Sequence, residues 1–264
     1  MRVYVEGVGL LGPGLSGWQA GRAALAEAAP YAFAPTVVSA SELLPAAERR
    51  RTGAPVKLAL AVGREAFMNA GRDPSITATV FTSSGGDGEN VHQICETLAS
   101  TDREVSPTRF HNSVHNAAAG YWGIATGSRE PSTSLCGYDA SFAAGLLEAA
   151  AQVCTERAPL GLIAYDHRYP QPINAVRPLI ADFAVALILT PERTDRTFAA
   201  LAITHVHDDA SATAMTLPAL ETVRAGVPAA RSLPLLAAFA REAAAVVMLE
   251  LAGTGRLRVE IAPC

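Results

Sequence analysis

The sequence predicts a layered α/β fold, and two observations support that prediction. Short runs typical of strands that are buried on both faces recur along the chain, such as the β-branched run at residues 77–82 and the apolar run at residues 184–189. Alanine-rich segments with helical spacing alternate with these runs. Such alternation is typical of a sheet that is covered by helices on both sides.

The elements can be assigned in order. Residues 3–8 form the first predicted strand, Gly-Leu-Leu-Gly-Pro-Gly after it indicates a loop, and residues 17–28 read as a helix. A short helix is expected to begin at Ser39, and a longer one covers residues 56–70 with Gly71 just past its end. Residues 210–225 are read as a loop. The other predicted helices are residues 89–98, 140–156 and 233–249, and the other predicted strands are residues 77–82, 132–135, 160–165, 184–189, 199–206 and 257–261.

Size and charge narrow the class of protein. A chain of 264 residues, half of them apolar, can bury roughly 70–75% of its unfolded surface, which predicts one domain over residues 1–264. The net charge is -4, and the basic run at residues 49–51 is too short to follow a phosphate backbone, so nucleic acid is not an expected partner. No run of about 20 apolar residues and no leader pattern occurs, so we expect a cytoplasmic protein without membrane contact.

The sequence contains only weak signals for a metal or cofactor site. The four cysteines form no CxxC pair, which argues against a zinc site or a disulfide framework. Ser84-Gly-Gly-Asp-Gly lacks the Lys-Ser/Thr of a P-loop and the register of a dinucleotide site, and no G-x-S-x-G elbow surrounds Ser83 or Ser84. We therefore interpret this segment as a tight turn and expect no cofactor.

Two histidine pairs have spacings that occur in metal sites. His205 and His207 would project from the same side of a strand near Asp208 and Asp209, but no third ligand stands at a fixed spacing. His111 and His115 are four residues apart, in a loop-like stretch that favours a capping or interface role. Neither pair is predicted to bind metal.

Four features in order carry a resemblance to a known family. They are an opening strand with Gly7-Val-Gly, the Thr82-Ser-Ser-Gly-Gly turn, residues 112–120, and the strand-to-helix junction before Ser141-Phe-Ala-Ala-Gly. Over residues 3–190 they resemble the N-terminal half of the thiolase-like fold, as found in β-ketoacyl synthases. In its short length and in the sequence of residues 140–149, the chain resembles the small chain-length factors that accompany ketosynthases in bacterial aryl-polyene pathways.

This resemblance implies a layered α-β-α fold with a mixed central sheet. Residues 1–190 would form the family-like core, and residues 191–264 would form a reduced C-terminal part, so the second half of the fold would be largely missing. In the family a nucleophilic cysteine lies at the sharp turn that begins the central helix. Alignment of the residues after that turn places Tyr138 at the nucleophile position and Cys136 two residues earlier.

The catalytic histidines of the family also have no counterpart. They lie in the second half of the fold, in His-Gly-Thr and Gly-His settings, whereas this chain has only His205 and His207 after Thr190. The resemblance thus implies a non-catalytic subunit that pairs with an active ketosynthase to extend a chain on acyl carrier protein. The two subunits would join across Ser132–Leu135 and residues 110–121.

Three functional hypotheses follow. In the first, Phe110, His111, His115 and Tyr138 line or cap the acyl tunnel of the partner and limit product length. The second is a stand-alone acyltransferase or thioesterase-like enzyme that uses Cys136 as nucleophile and His111 or His115 as base. The third is a homodimeric scaffold without acyl contact.

Overall fold

The structure, a computed structural model, describes residues 1–38, 43–207 and 210–264. Its strands are β1 (Arg2–Gly12), β2 (Leu15–Ser16), β3 (Ala78–Thr82), β4 (Ser132–Leu135), β5 (Leu160–Asp166), β6 (Phe183–Thr190), β7 (Ala199–His207), β8 (Ala245–Glu250) and β9 (Gly255–Pro263). Its helices are α1 (Trp18–Leu25), α2 (Ala46–Arg51), α3 (Ala54–Ala70), α4 (Gly88–Ala99), α5 (Pro107–Asn112), α6 (Ala117–Thr126), α7 (Ser141–Glu156), α8 (Ile173–Val176), α9 (Pro218–Gly226) and α10 (Leu233–Arg241).

Most predicted elements of the first 207 residues are confirmed. The helix expected to begin at Ser39 falls partly outside the described residues, and the described helix of that region, α2, begins at Ala46. The long helix α3 ends where it was predicted to, because Gly71 adopts a left-handed conformation with φ of 60°.

The strands form one mixed sheet. In the described ranges its order is β4-β3-β5-β6-β1-β7-β9-β8, with β2 paired to β1. Strands β4, β3 and β5 run parallel, whereas β6 pairs antiparallel with both β5 and β1. Residues of α1, α7, α9 and α10 pack in the core on one face of the sheet, and residues of α3 and α6 pack on the other. The layered α-β-α prediction is therefore confirmed.

Strand β1 is longer than the sequence predicted. It continues through Gly9-Leu-Leu-Gly, which was interpreted as a loop. The glycines permit a close approach of α3, since a Cβ atom on Gly7 would lie 2.2 Å from the carbonyl oxygen of Ala66 and one on Gly9 would lie 1.9 Å from that of Val62. The signal that indicated a loop is thus a packing requirement of the central strand.

The C-terminal region differs most from the prediction. Residues 233–249 were expected to form one helix, but α10 ends at Arg241, Glu242 takes a left-handed φ of 52°, and β8 follows. Antiparallel pairing of β8 with β9, from Ala245 opposite Ile261 to Glu250 opposite Arg256, outweighs the helical pattern. Residues 210–225, read as a loop, contain most of α9.

The two edges of the sheet differ. The outer edge of β8 is occupied at its middle by Thr213, whose N–H donates to the carbonyl of Met248 (2.9 Å) and whose Oγ1 accepts from the Met248 N–H (2.8 Å). Strand β4 at the other edge has β3 as its one paired strand within the described residues. An unpaired strand edge is a ready site for pairing with another chain.

Candidate functional site

The candidate site lies where three neighbouring strands end. Because β3, β4 and β5 are parallel, their carboxyl ends meet at the same edge of the sheet. The residues found there are Ser83 and Ser84 after β3, Cys136 after β4, and Asp166 at the end of β5. The sequence had singled out the first three but not Asp166.

Asp166 is a buried carboxylate that ties this edge together. Its Oδ1 accepts hydrogen bonds from the Ser84 N–H (2.8 Å), the Ser84 hydroxyl (2.7 Å) and the Ser83 hydroxyl (3.3 Å). Its Oδ2 accepts from the N–H of Ala229, in the turn before α10 (2.7 Å). Burial raises the pKa of Asp166, although these donors act in the opposite direction by favouring the ionised form.

Residues 83–86, which we call the 83–86 loop, are held from several sides. The Ser83 hydroxyl accepts from the N–H of Gly86 (3.0 Å), and Gly86 has a left-handed φ of 63°. His115 Nε2 lies 3.1 Å from the carbonyl oxygen of Ser83, and the Cys136 thiol donates to the carbonyl of Ser84 (3.3 Å). The segment is therefore a tight turn, as predicted, and it brings His115 and Cys136 to the same loop.

Tyr138 lies at the sharp turn between β4 and α7. It begins the short turn Tyr138–Ala140 that leads into the helix, and its φ of 54° is in the left-handed region. For a residue with a bulky side chain this conformation is strained, and it persists where surrounding contacts enforce it. Ser141 supplies such contacts, since its hydroxyl donates to the Tyr138 carbonyl (2.6 Å) and accepts from the Gly137 N–H (3.0 Å).

A charge network surrounds Tyr138. The guanidinium group of Arg177 lies 3.5 Å from the centre of the Tyr138 ring and donates to Asp139 Oδ1 (2.9 Å). Arg231 approaches Asp139 Oδ2 (3.3 Å) and also pairs with Glu250 of β8. Burial lowers the pKa of Arg177, but its hydrogen bonds to Tyr169 and Asp139 outweigh this effect, so the pKa is raised.

The other two residues predicted to line a tunnel lie on α5. Phe110 is 70% exposed, and the exposed ring of His111 packs edge-to-face on Tyr121 with centroids 6.2 Å apart. Asn112, at the end of the helix, anchors it by donating to the carbonyl of Arg51 (2.7 Å). Within the described residues, no hydrogen bond or ring contact joins any two of Phe110, His111, His115 and Tyr138.

Comparison with known proteins identifies the family. The profile described as "Beta-ketoacyl synthase, N-terminal domain" matches residues 18–247. The chain belongs to the β-ketoacyl synthase family. No curated protein matches the chain at a significant level.

Solved structures of ketosynthase complexes share its fold. A chain from the complex of the ketosynthase ApeO with its chain length factor ApeC from Xenorhabdus doucetiae is 21% identical, with a TM-score of 0.75 over 98% of this chain and 99% of that one. The ishigamide ketosynthase/chain length factor is 15% identical, with a TM-score of 0.76 over 99% of both chains. A chain from the complex of a type II polyketide synthase acyl-carrier protein with its ketosynthase bound to the hexaketide is 10% identical, with a TM-score of 0.78 over 98% of both chains. These similarities establish the thiolase-like ketosynthase fold.

The remaining histidine pair lies outside this candidate site of the ketosynthase fold. His205 and His207 are exposed near the end of β7, with ring centroids 4.8 Å apart. Asp208 and Asp209, considered with them, lie outside the described residues. Among the residues that the structure describes, no group of three His, Cys, Asp or Glu side chains is arranged to hold a metal ion, and no helix is long and apolar enough to cross a membrane.

Sequence reasoning missed Asp166, Arg177 and Arg231 as site residues. Asp166 had a usable signal, because it is an acidic residue directly after the apolar run 160–165, where the carboxyl end of a parallel strand was expected. The two arginines carried no such signal, since they come from the segment after α8 and from the turn before α10. Their convergence on Asp139 depends on tertiary packing.

Proposed function

We propose that this chain is a chain-length factor, a non-catalytic ketosynthase-like subunit that pairs with an active β-ketoacyl synthase. The pair would extend an acyl or polyene chain attached to acyl carrier protein. Structural similarity over nearly the whole chain to complexes named for a ketosynthase and its chain length factor supports this proposal. The resemblance of residues 140–149 to the small chain-length factors of aryl-polyene pathways favours an aryl-polyene type of product.

The observation that carries the proposal is Tyr138 at the turn that begins α7. In the family this turn presents the nucleophilic cysteine, and a tyrosine cannot carry the acyl thioester. Cys136 is exposed two residues earlier, and its thiol donates to the carbonyl of Ser84. Within the described residues, no hydrogen bond joins Cys136 to His111 or His115, so a cysteine–histidine pair is not assembled. The condensing chemistry would then belong to the partner.

An exposed apolar surface supports a protein partner. Three side chains of the segment spanning α5 and α6 are largely exposed: Phe110 (70%), Val114 (52%) and Ile124 (51%). Helix α6 has the composition Ala-Ala-Ala-Gly-Tyr-Trp-Gly-Ile-Ala-Thr and no charged residue on any face. A helix that is apolar all round is normally buried, so we expect a partner to cover its outer face.

Helix α4 extends this surface with an apolar stripe. Val91, Ile94, Cys95 and Leu98 recur at the spacing of one helical face, and Val91 and Leu98 are 39% and 52% exposed. Only Gly88 and Asn90 of this helix are buried in the described structure. The stripe is uncovered by the chain itself and fits a partner of apolar character.

Gly120 of α6 points to the same interface. A Cβ atom at this position would meet no other atom within 4 Å, so nothing in the described chain requires glycine there. Glycine inside a helix costs about 0.5–1 kcal/mol relative to alanine. A partner backbone that approaches α6 closely would explain the glycine. The open edge of β4 lies in the region where subunits of the family join.

Co-expression with a ketosynthase of an aryl-polyene system, followed by product analysis, tests this proposal. We expect the two chains to co-purify and only the ketosynthase to become acylated from acyl carrier protein, as read by intact-protein mass spectrometry. Acylation of this chain at Cys136, with or without a partner, would overturn the proposal. So would a stable homodimer that binds neither ketosynthase nor carrier protein.

Alanine variants test the tunnel contribution of Phe110, His111, His115 and Tyr138. Each variant removes bulk from the proposed wall, so at least one should shift the product distribution to longer chains. Phe33→Ala is the matched control, because Phe33 is 54% exposed but lies on the segment between α1 and α2. An unchanged distribution in all four variants would refute the tunnel contribution while leaving the pairing intact.

A further inference from the structure

The ring of Tyr138 lies outside the hydrophobic core, and its backbone conformation does not fix the position of the ring. Its side chain is 61% exposed although its φ of 54° lies in the left-handed region. In the described residues, its hydroxyl has no hydrogen-bond partner; the ring contact with Arg177 is the described interaction of the side chain. An exposed ring of this kind would ordinarily sample several rotamers.

Arg177 supplies the missing constraint. Its guanidinium carbon lies 3.5 Å from the ring centre, well inside the roughly 6 Å range of cation–π contacts. The Arg177 side chain is only 19% exposed, so the contact is largely shielded from water and correspondingly stronger than one at an open surface. One face of the tyrosine ring is therefore covered by a cation.

The cation itself has one position because several groups bind it. Arg177 donates to Asp139 Oδ1 at 2.9 Å, and the side chain of Tyr169 lies close to it. The other oxygen of Asp139 faces Arg231 at 3.3 Å, and Arg231 also pairs with Glu250 at the end of β8. This series of contacts links the Tyr138 ring to the C-terminal strands, so the orientation of the ring depends on residues that are distant in the sequence.

We propose that Arg177 is a positioning residue that fixes the Tyr138 ring through the cation–π contact and the ion pair with Asp139, leaving the opposite ring face to bound the product chain. This inference rests on the proposed function only for its effect on product length. The position of the ring can be measured in this chain by itself.

The first test is ¹⁹F NMR of the protein labelled with 3-fluorotyrosine, with the Tyr138 signal assigned by its loss in Tyr138→Phe. The chain has six tyrosines, so the spectrum is resolvable. In Arg177→Met the Tyr138 resonance should move toward the position of the unfolded protein and sharpen. Arg177→Lys, which keeps the charge near Asp139, should give an intermediate shift. An unchanged resonance in Arg177→Met would overturn the proposal.

Arg157→Met is the matched control for loss of an arginine. Arg157 lies at the opposite end of α7 from Tyr138, about 24 Å away along a 16-residue helix, and pairs with Glu192 on the surface. It should leave the Tyr138 signal unchanged. If Arg177→Met proves unfolded, Asp139→Asn is a milder variant that removes the ion pair holding Arg177. It should shift the Tyr138 resonance in the same direction.

Product analysis of the co-expressed pair then separates the two proposals. We expect Arg177→Met to broaden the distribution of product chain lengths when Tyr138 is present. In a protein that already carries Tyr138→Ala, the same substitution should have no added effect. A moved ¹⁹F signal with unchanged products would confirm the positioning of the ring and contradict its place at the tunnel. An equal change of products in both backgrounds would contradict an action of Arg177 through Tyr138.

Discussion

Asp166 Oδ1 accepts hydrogen bonds from both the backbone N–H and the hydroxyl group of Ser84, at 2.8 and 2.7 Å. Its second oxygen accepts from Ala229 at 2.7 Å. One carboxylate thus joins the end of β5, the loop after β3 and the turn before α10. The part of the chain that follows residue 190 is therefore built into the candidate site, although it contributes no side chain of the four predicted from the sequence.

Replacement of Asp166 by alanine should strongly destabilise the protein. It leaves the buried donors of Ser84 and Ala229 without an acceptor, and each such loss costs about 1–3 kcal/mol. We expect the free energy of unfolding to fall by about 3 kcal/mol or more in urea denaturation. The free energy of unfolding of Asp166→Asn should lie between those of the wild type and Asp166→Ala, because asparagine retains one accepting oxygen. The exposed Asp195→Ala is the control, and equal stability of the two alanine variants would contradict this role.

Two glycine-to-alanine variants should change stability in opposite directions. In Gly9→Ala the new Cβ atom would lie 1.9 Å from the carbonyl oxygen of Val62, so α3 must move away and the free energy of unfolding should fall by about 3 kcal/mol or more. In Gly120→Ala the new Cβ atom has no neighbouring contact within 4 Å. This variant should raise the free energy of unfolding by about 0.5–1 kcal/mol in the isolated chain. Urea denaturation measures both.

The same Gly120→Ala variant should weaken association with the ketosynthase. If the partner backbone lies against α6, the added methyl group separates the two surfaces. Titration of the two chains by calorimetry would measure the change. A variant that is both more stable and undiminished in binding would show that the partner does not approach Gly120.

Removal of the Cys136 thiol should leave product formation unchanged. In the described structure its partner is the carbonyl of Ser84, and no histidine bonds to it. We expect Cys136→Ala and the exposed Cys264→Ala, which lies outside the proposed partner surface, to give the same yield and chain length in the co-expressed pair. Loss of product in Cys136→Ala alone would restore this thiol as a nucleophile.

Glu6 should make stability depend on pH in the acid range. Burial raises the pKa of its carboxyl, but hydrogen bonds from Arg72 (2.7 and 2.9 Å) and Thr194 (2.6 Å) outweigh burial, so the pKa lies below its ordinary value of 4.5. Its contribution is therefore complete above about pH 4.5, where the unfolded chain is also ionised, and is lost as the pH falls through the folded pKa.

Glu6→Gln tests this dependence. The variant should be less stable by about 2–3 kcal/mol at pH 7, since it loses charge-assisted bonds to a buried group. The difference from wild type should shrink as the pH is lowered below about 4.5. Denaturant titrations at several pH values would measure it, and a constant difference across the range would contradict the lowered pKa.

Local patterns predicted most of the fold, and tertiary pairing accounts for what they missed. Strand Ser132–Leu135 and the end of α3 at Gly71 follow from short-range signals. Residues 245–249 carry both a helical and a strand pattern, and pairing with β9 selects the strand. In the candidate site, Tyr138 and Cys136 were visible from a family motif. The arrangement of Arg177, Asp139 and Arg231 was not, because residues 38 and 92 positions from Asp139 meet there only in the folded chain.

The two edges of the sheet limit the size of any assembly built by strand pairing. Thr213 occupies the middle of β8, so within the described ranges a second chain that adds to the open edge of β4 finds no equivalent free edge on the other side of the sheet. Growth in one direction therefore stops after a single addition. Strand pairing with this asymmetry would give closed pairs and would protect against the open-ended stacking that two free edges would allow.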